Sequence, residues 1–197
     1  MTKNYEALKH IREQLSGYDE GLSQAIQRLF NIEDQCKECQ GCVIDTVVSA
    51  LIFNKYGIKN EIHLGEICAG SEQDAYHCWL TVDNRIVDIG IYGNANYNTY
   101  YHGQEIKYPF ILEDTGNVKY CDGSTEIVSW LADLSEKSII EYIEHCPKNR
   151  VCKLLYKSLN ILETKENHNM IMDLAKDMYF PKLLHIEVSP SGKRGGL

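Results

Sequence analysis

The chain is short of proline, of tryptophan, of clustered basic residues and of long apolar runs. Each shortage excludes something. Four prolines and no low-complexity tract argue against a long disordered linker. No apolar stretch approaches the roughly 18–20 residues needed to cross a bilayer, so no membrane partner is expected. Lysines and arginines are scattered apart from Lys193-Arg194, and the net charge is −8. A nucleic-acid backbone is therefore not an expected partner, because phosphate binding needs a concentrated positive surface. The start, MTKNYEALKHIREQL, is amphipathic and mixed in charge rather than a secretory signal. Without such a signal the eight cysteines are expected to be reduced thiols in a cytoplasm, not a disulfide framework.

What is present is ordinary for a globular chain: 44% hydrophobic and 24% charged residues over 197 positions. That length supports one good core, and a single domain is expected over 1–189. The remainder, 190–197, has no core-forming pattern and is expected to be a flexible tail. The acidic balance reads as a solubility feature. Nothing in the pattern specifies an oligomeric state.

Hydrophobic spacing predicts helices over 4–15 (Tyr5, Leu8, Ile11 and Leu15 inward) and 18–31 (Leu22, Ala25, Ile26, Leu29 and Phe30 inward). Val43 to Tyr56 suits a strand by its β-branched residues. Its length and the stop at Gly57 decide for a buried helix. Three strands follow, Ile58–Ile67, Tyr76–Val82 and Arg85–Ile91. The tyrosine- and asparagine-rich segment after Ile91 reads mainly as loop, with room for a further strand. Helices are expected over Ile127–His145, Val151–Leu162 and Asn167–Tyr179. Helices, a buried helix, a small antiparallel sheet and further helices make an α+β protein.

The second and third strands flank Asp83-Asn84, residues that tolerate positive φ and so suit a hairpin turn. A turn centred there puts Trp79 opposite Asp88 and His77 opposite Gly90. Side chains alternate, so His77, Trp79 and Asp88 share a face. His77 and Asp88 are then diagonal neighbours, roughly 7–8 Å apart at the backbone and able to hydrogen-bond through their side chains. A histidine oriented by a carboxylate is half of a nucleophilic machine; the other half is a thiol or hydroxyl within its reach.

Gln35 to Gly57, QCKECQGCVIDTVVSALIFNKYG, supplies thiols at Cys36, Cys39 and Cys42. Cys42 begins the buried helix, where free N–H groups and the positive end of the helix dipole favour a thiolate. The chain order Cys42, His77, Asp88 then reads as nucleophile, general base and orienting acid.

With these residues in place, GCVIDTVVSALIFNKYGIKNEI and AYHCWLTVDNRIVDIG resemble the transglutaminase-like, papain-related superfamily of cysteine enzymes. In that superfamily a cysteine opens the central helix, a histidine leads a strand, and an aspartate sits on the next strand. The intervals of 35 residues from Cys42 to His77 and 11 more to Asp88 are similar to those of its compact bacterial members. The resemblance spans Gly41 to Gly90, about a quarter of the chain. It implies a papain/transglutaminase-like fold with the cysteine helix packed on the sheet, and a Cys-His-Asp triad acting through a thioester without a cofactor. The substrate class implied is a peptide, a protein or a small amide or acyl compound. RIVDIG also resembles the aspartate strand of arylamine N-acetyltransferases, a second acyl-transfer reading. The Arg-Gly-Gly of that family is replaced by ECQGC here. Papain-type enzymes carry an oxyanion-hole glutamine before the cysteine, and Gln35 and Gln40 are the candidates. The calcium dependence of some animal relatives has no matching acidic loop.

Each residue also has a plainer reading. Cys42 is the type of residue that fills small apolar gaps, His77 suits a structural role, and Asp88 suits a solvated strand position. A protein with this fold and no activity would be a binding or scaffold module. Cys36, Cys39 and Cys42 are three of the four ligands of a structural zinc, with Cys68, His77, Cys78 or Cys121 for the fourth. No second CxxC pair accompanies them. Cys39-Gln-Gly-Cys42 has thioredoxin-type spacing but follows NIEDQ rather than an apolar strand. Cys39 is also placed to cap Cys42 reversibly as a disulfide. Trp79 and Tyr92 are candidates for a substrate rim, Trp79 also as a shield over the His–Asp pair.

Overall fold

The computed structural model describes residues 3–35, 41–68, 75–92, 106–116, 118–126 and 128–185. Three helices come first: α1 (Lys3–Gln14), α2 (Glu20–Gln35) and α3 (Cys42–Lys55). Five strands follow: β1 (Glu61–Cys68), β2 (Ala75–Val82), β3 (Arg85–Asp88), β4 (Phe110–Glu113) and β5 (Lys119–Asp122). The chain then returns to helix in α4 (Ser129–Leu134), α5 (Ile139–His145), α6 (Arg150–Leu159) and α7 (Lys165–Ala175). The strands form one antiparallel sheet in the order β4-β3-β2-β1-β5. The architecture is α+β.

Helix α3 organises the core. Every residue from Ile44 to Phe53 is buried. Enclosure on all sides suits a helix that is apolar all round, and it outweighs the small helix penalty of valine, isoleucine and threonine. Around α3 pack Leu22, Ile26, Leu29 and Phe30 of α2, Val151 and Leu155 of α6, and Leu64, Cys78 and Leu80 of the sheet. The Thr46 hydroxyl donates to the Cys78 carbonyl at 2.9 Å, which pins α3 to β2. Gly57, at φ +71°, turns the chain out of the helix into β1. Among the described residues no helix is long and apolar enough to cross a membrane.

Several elements depart from the sequence expectation. The buried stripe of α1 is Ala7 and Ile11, continued by Leu15 just past its end; Tyr5 is 54% exposed. The helix expected over 127–145 is broken by Glu136 at φ +66°, and α5 restarts on a Ser138–Glu141 capping box. Asn160 and Asp177 take left-handed backbone beyond the ends of α6 and α7, which stop short of the expected Leu162 and Tyr179. Strand β3 ends at Asp88 rather than Ile91. Strands β4 and β5, at four residues each, are too short for alternation to announce them. Residues 93–105 of the tyrosine-rich segment and the tail 190–197 lie outside the described residues.

Strand β5 joins the sheet through close backbone approach. A Cβ on Gly65 of β1 would stand 2.0 Å from the Cys121 carbonyl oxygen and 2.8 Å from the Gly123 nitrogen. The carboxylate of Glu66, buried beside it, accepts bonds from the Thr125 N–H and hydroxyl, both at 2.7 Å, and from the Ser124 hydroxyl at 3.0 Å. Gly65→Ala should therefore push β5 outward and destabilise the protein by about 2–3 kcal/mol in urea unfolding. An unchanged midpoint would show that the approach is slack.

Candidate active site

The site begins with the hairpin. Asp83 and Asn84 sit at φ +49° and +60°, the left-handed pair that a tight two-residue turn demands. They set the register Leu80↔Val87, Thr81↔Ile86 and Val82↔Arg85. Alternation sends Cys78 and Leu80 into the main core, and His77 and Trp79 to the other side of β2.

There His77 Nε2–H donates to Asp88 Oδ2 at 2.7 Å, with the two residues 1% and 3% exposed. Asp88 also accepts the Tyr120 hydroxyl on Oδ2 at 2.7 Å and the Ile91 N–H on Oδ1 at 3.0 Å. Three donors, from β2, β5 and the turn after β3, hold the carboxylate in place. Trp79 lies between two imidazoles, stacked on His63 (centroids 5.4 Å, 8°) and on His77 (6.5 Å, 10°), with Tyr120 edge-on at 5.1 Å.

Cys42 is the first residue of α3 and is half-buried. Its helix starts from Gly41, which has no side chain to take up the first N–H groups. The sulfur is near enough to His77 to favour a proton on the ring. His77 Nδ1 is buried, and no described nitrogen or oxygen bonds to it. Since Nε2 is committed to Asp88, Nδ1 is the atom left for Cys42. Gly90 makes this approach possible: a Cβ there would stand 3.5 Å from Cys42 Cα, 3.1 Å from Asp45 Oδ2 and 3.7 Å from Asp88 Oδ1.

The electrostatics follow from burial against charge. Burial alone would lower the affinity of His77 for a proton. The Asp88 carboxylate, by charge and hydrogen bond, and then Cys42 outweigh it and raise the imidazole to about 10. The ring is thus an imidazolium at neutral pH, and its Nδ1–H is available to a thiolate or to a leaving group.

A second polar group lies under the start of α3. Asp45, in its first turn, faces Glu33 of α2, and both are buried. Burial lifts Glu33 to about 7, against the opposing effects of its hydrogen bond with Asp45 and the charge of Arg150. Burial, then the charge of Glu33, raises Asp45 well above the ordinary aspartate range.

The structure thus brings Cys42, His77 and Asp88 together. It corrects the rim: Trp79 and Tyr92 are 2% and 6% exposed. Trp79 is held in the aromatic stack and Tyr92 sits edge-on to Phe30 at 5.2 Å, so neither ring borders an open cleft. Cys36, Cys39 and Gln40 lie outside the described residues, as does the Gln35 side chain. Among the described residues no three His, Cys, Asp or Glu side chains are grouped to hold a metal ion. Sequence reasoning missed Tyr120, Glu33, Asp45 and Gly90. Only Asp45 carried a signal, as a lone carboxylate inside the apolar run CVIDTVVSALIF. No protein-family model matches the chain, and no match was found among curated proteins or solved structures.

Two pH dependences follow. Because the folded His77 binds its proton more tightly than the unfolded one, its stabilisation is complete below about pH 6.5 and is lost as pH rises through about 10. Thermal unfolding from pH 6 upward (~6–11) should show this alkaline loss in the wild type and not in His77→Gln; parallel curves would contradict it. The raised carboxyl of Glu33 acts lower on the scale, its contribution being lost as pH rises from about 4.5 to about 7, by up to about 3 kcal/mol. The double variant Glu33→Gln/Asp45→Asn, with no carboxyl left to ionise there, should lack that fall.

Proposed function

We propose that this protein is a cysteine-dependent amide or peptide hydrolase or acyl transferase of transglutaminase-like fold, working through a thioester on Cys42. The observation that carries the reading is the arrangement of His77: Nε2 bonded to a buried, triply held aspartate, and Nδ1 unspent beside the cysteine that opens α3. A helix start and a hairpin further along the chain supply the thiol, imidazole and carboxylate that thiol acyl transfer uses, which supports the reading.

In the reaction, the Cys42 sulfur attacks the carbonyl carbon of the substrate. An S–C bond forms, and the carbonyl π pair moves to oxygen. Backbone N–H groups at the start of α3, that of Cys42 first, stabilise the developing oxyanion. His77 Nδ1–H protonates the leaving nitrogen, the C–N bond breaks, and an amine departs. Water, or a second amine, then attacks the thioester carbonyl while Nδ1 accepts its proton. The S–C bond breaks and the thiolate returns. Water makes the protein a hydrolase and an amine makes it a transferase. Asp88 keeps the ring turned with Nδ1 towards the sulfur and balances the imidazolium charge. Tyr120 and Ile91 N–H keep Asp88 in position.

Iodoacetamide labelling read by peptide mass spectrometry tests this directly. Cys42 should react at least about tenfold faster than Cys68 and Cys121, the other half-buried thiols among the described residues, and lose that lead in His77→Ala. With an acyl substrate trapped on Cys42 from a lysate, turnover should fall about 10²–10⁴-fold in the same variant. Equal labelling of Cys42 in wild type and His77→Ala would overturn the reading.

A further inference from the structure

Asp45 is the only charged residue in the buried stretch of α3 from Ile44 to Phe53. It lies within the first turn after Cys42, 3.1 Å from the place a Gly90 Cβ would occupy. Asp45 is 3% exposed and Glu33 is 6% exposed. Neither oxygen of Glu33 nor Oδ1 of Asp45 has a nitrogen or hydroxyl donor among the described residues. The two carboxyls instead face each other, close enough for each to shift the other's proton affinity. Two buried carboxylates with no other donor do not both ionise; one carries a proton. Arg150, at the start of α6, favours the charged form of Glu33, so the proton belongs on Asp45. The groups facing Asp45 are Glu33 from α2, Cys42 from its own helix, Cys78 from β2 and Asp88 from β3, with Arg150 beyond Glu33.

We propose that Asp45 is a positioning residue for the nucleophile: as the protonated half of a carboxyl pair with Glu33, it holds the first turn of α3 against Gly90 while keeping a negative charge away from Cys42. The inference rests on Cys42 being the nucleophile. Asp45 in ionised form would add a like charge beside both the thiolate and Asp88, opposing the thiolate. Burial opposes this first, and the charge of Glu33 adds to it in keeping the proton on its neighbour. Glu33→Gln removes that charge and lets Asp45 ionise at lower pH. Asn at position 45 cannot ionise and still donates a hydrogen bond.

The test uses the full chain and the rate of Cys42 alkylation by iodoacetamide across about pH 5–9, with folding checked by circular dichroism. Glu33→Gln should show a new step in that profile, slowing Cys42 by about fivefold or more on its alkaline side relative to wild type. Asp45→Asn added to Glu33→Gln should abolish the step, a rescue that a merely structural pair would not produce. A Glu33→Gln profile of wild-type shape, or a step that survives Asp45→Asn, overturns the proposal. Should Glu33→Gln not fold, infrared difference spectra decide. A protonated-carboxyl C=O band at about pH 9, above the range in which Glu33 holds its proton, present in wild type and absent in Asp45→Asn, supports it; no such band in wild type overturns it. His77→Ala separates the two readings. If it leaves Cys42 labelling unchanged, the nucleophile reading fails and this inference with it. If it slows Cys42 while Glu33→Gln adds no step, only the role of Asp45 fails.

Discussion

The hydrogen bond between His77 and Asp88 is the constraint around which the sheet is built. Both side chains are shut away from water, and an unpaired charge in that position would cost several kcal/mol, on the order of the protein's whole stability. The carboxylate is therefore saturated from three directions, by β2, by the turn after β3 and by β5. Each donor places a demand on the backbone. The register of β2 against β3 depends on two consecutive residues at positive φ in the turn. The arrival of Tyr120 depends on Gly65, because any side chain there would hold β5 away from β1.

Helix α3 reconciles two opposed requirements. Along its length it is a core element, buried on every face and fixed to β2 by Thr46. At its first turn it leaves Cys42 half-buried rather than enclosed, and close enough to act on the imidazole. Glycine solves this on both sides: Gly41 leaves the helix start without a cap side chain, and Gly90 leaves space for the helix to touch the strand end. The Glu33–Asp45 pair lies on the buried flank of that turn, where a like charge would act on the sulfur directly.

The elements that were legible in the sequence are those whose signals are local. The five inward residues of α2, the buried helix after Gly41, the Asp83-Asn84 turn and the diagonal placement of His77 and Asp88 all follow from periodicity of 3.6 or 2 and from turn chemistry. Strands β4 and β5 did not follow, because four residues are too few to show a period and their pairing is decided by distant partners. The break at Glu136 was readable in retrospect from the Ser138–Glu141 capping box, which a continuous apolar pattern obscured. Trp79 was correctly placed on the His77 face, but its burial depends on His63 and Tyr120, which arrive from β1 and β5.

By itself, then, the sequence determined the α+β order of elements, the thiol at the mouth of an apolar helix, and a histidine and an aspartate on one face of a hairpin. Those are consequences of residue spacing along a single stretch of chain. Only the tertiary structure decided that the helix start meets that hairpin, that Nδ1 of His77 rather than Nε2 is the nitrogen left unbonded, and that Tyr120 and the buried carboxyls of Glu33 and Asp45 lie close to these residues. Contacts of this kind join residues a dozen or more positions apart. Their energy comes from burial and from satisfying buried polar atoms, which no local spacing records.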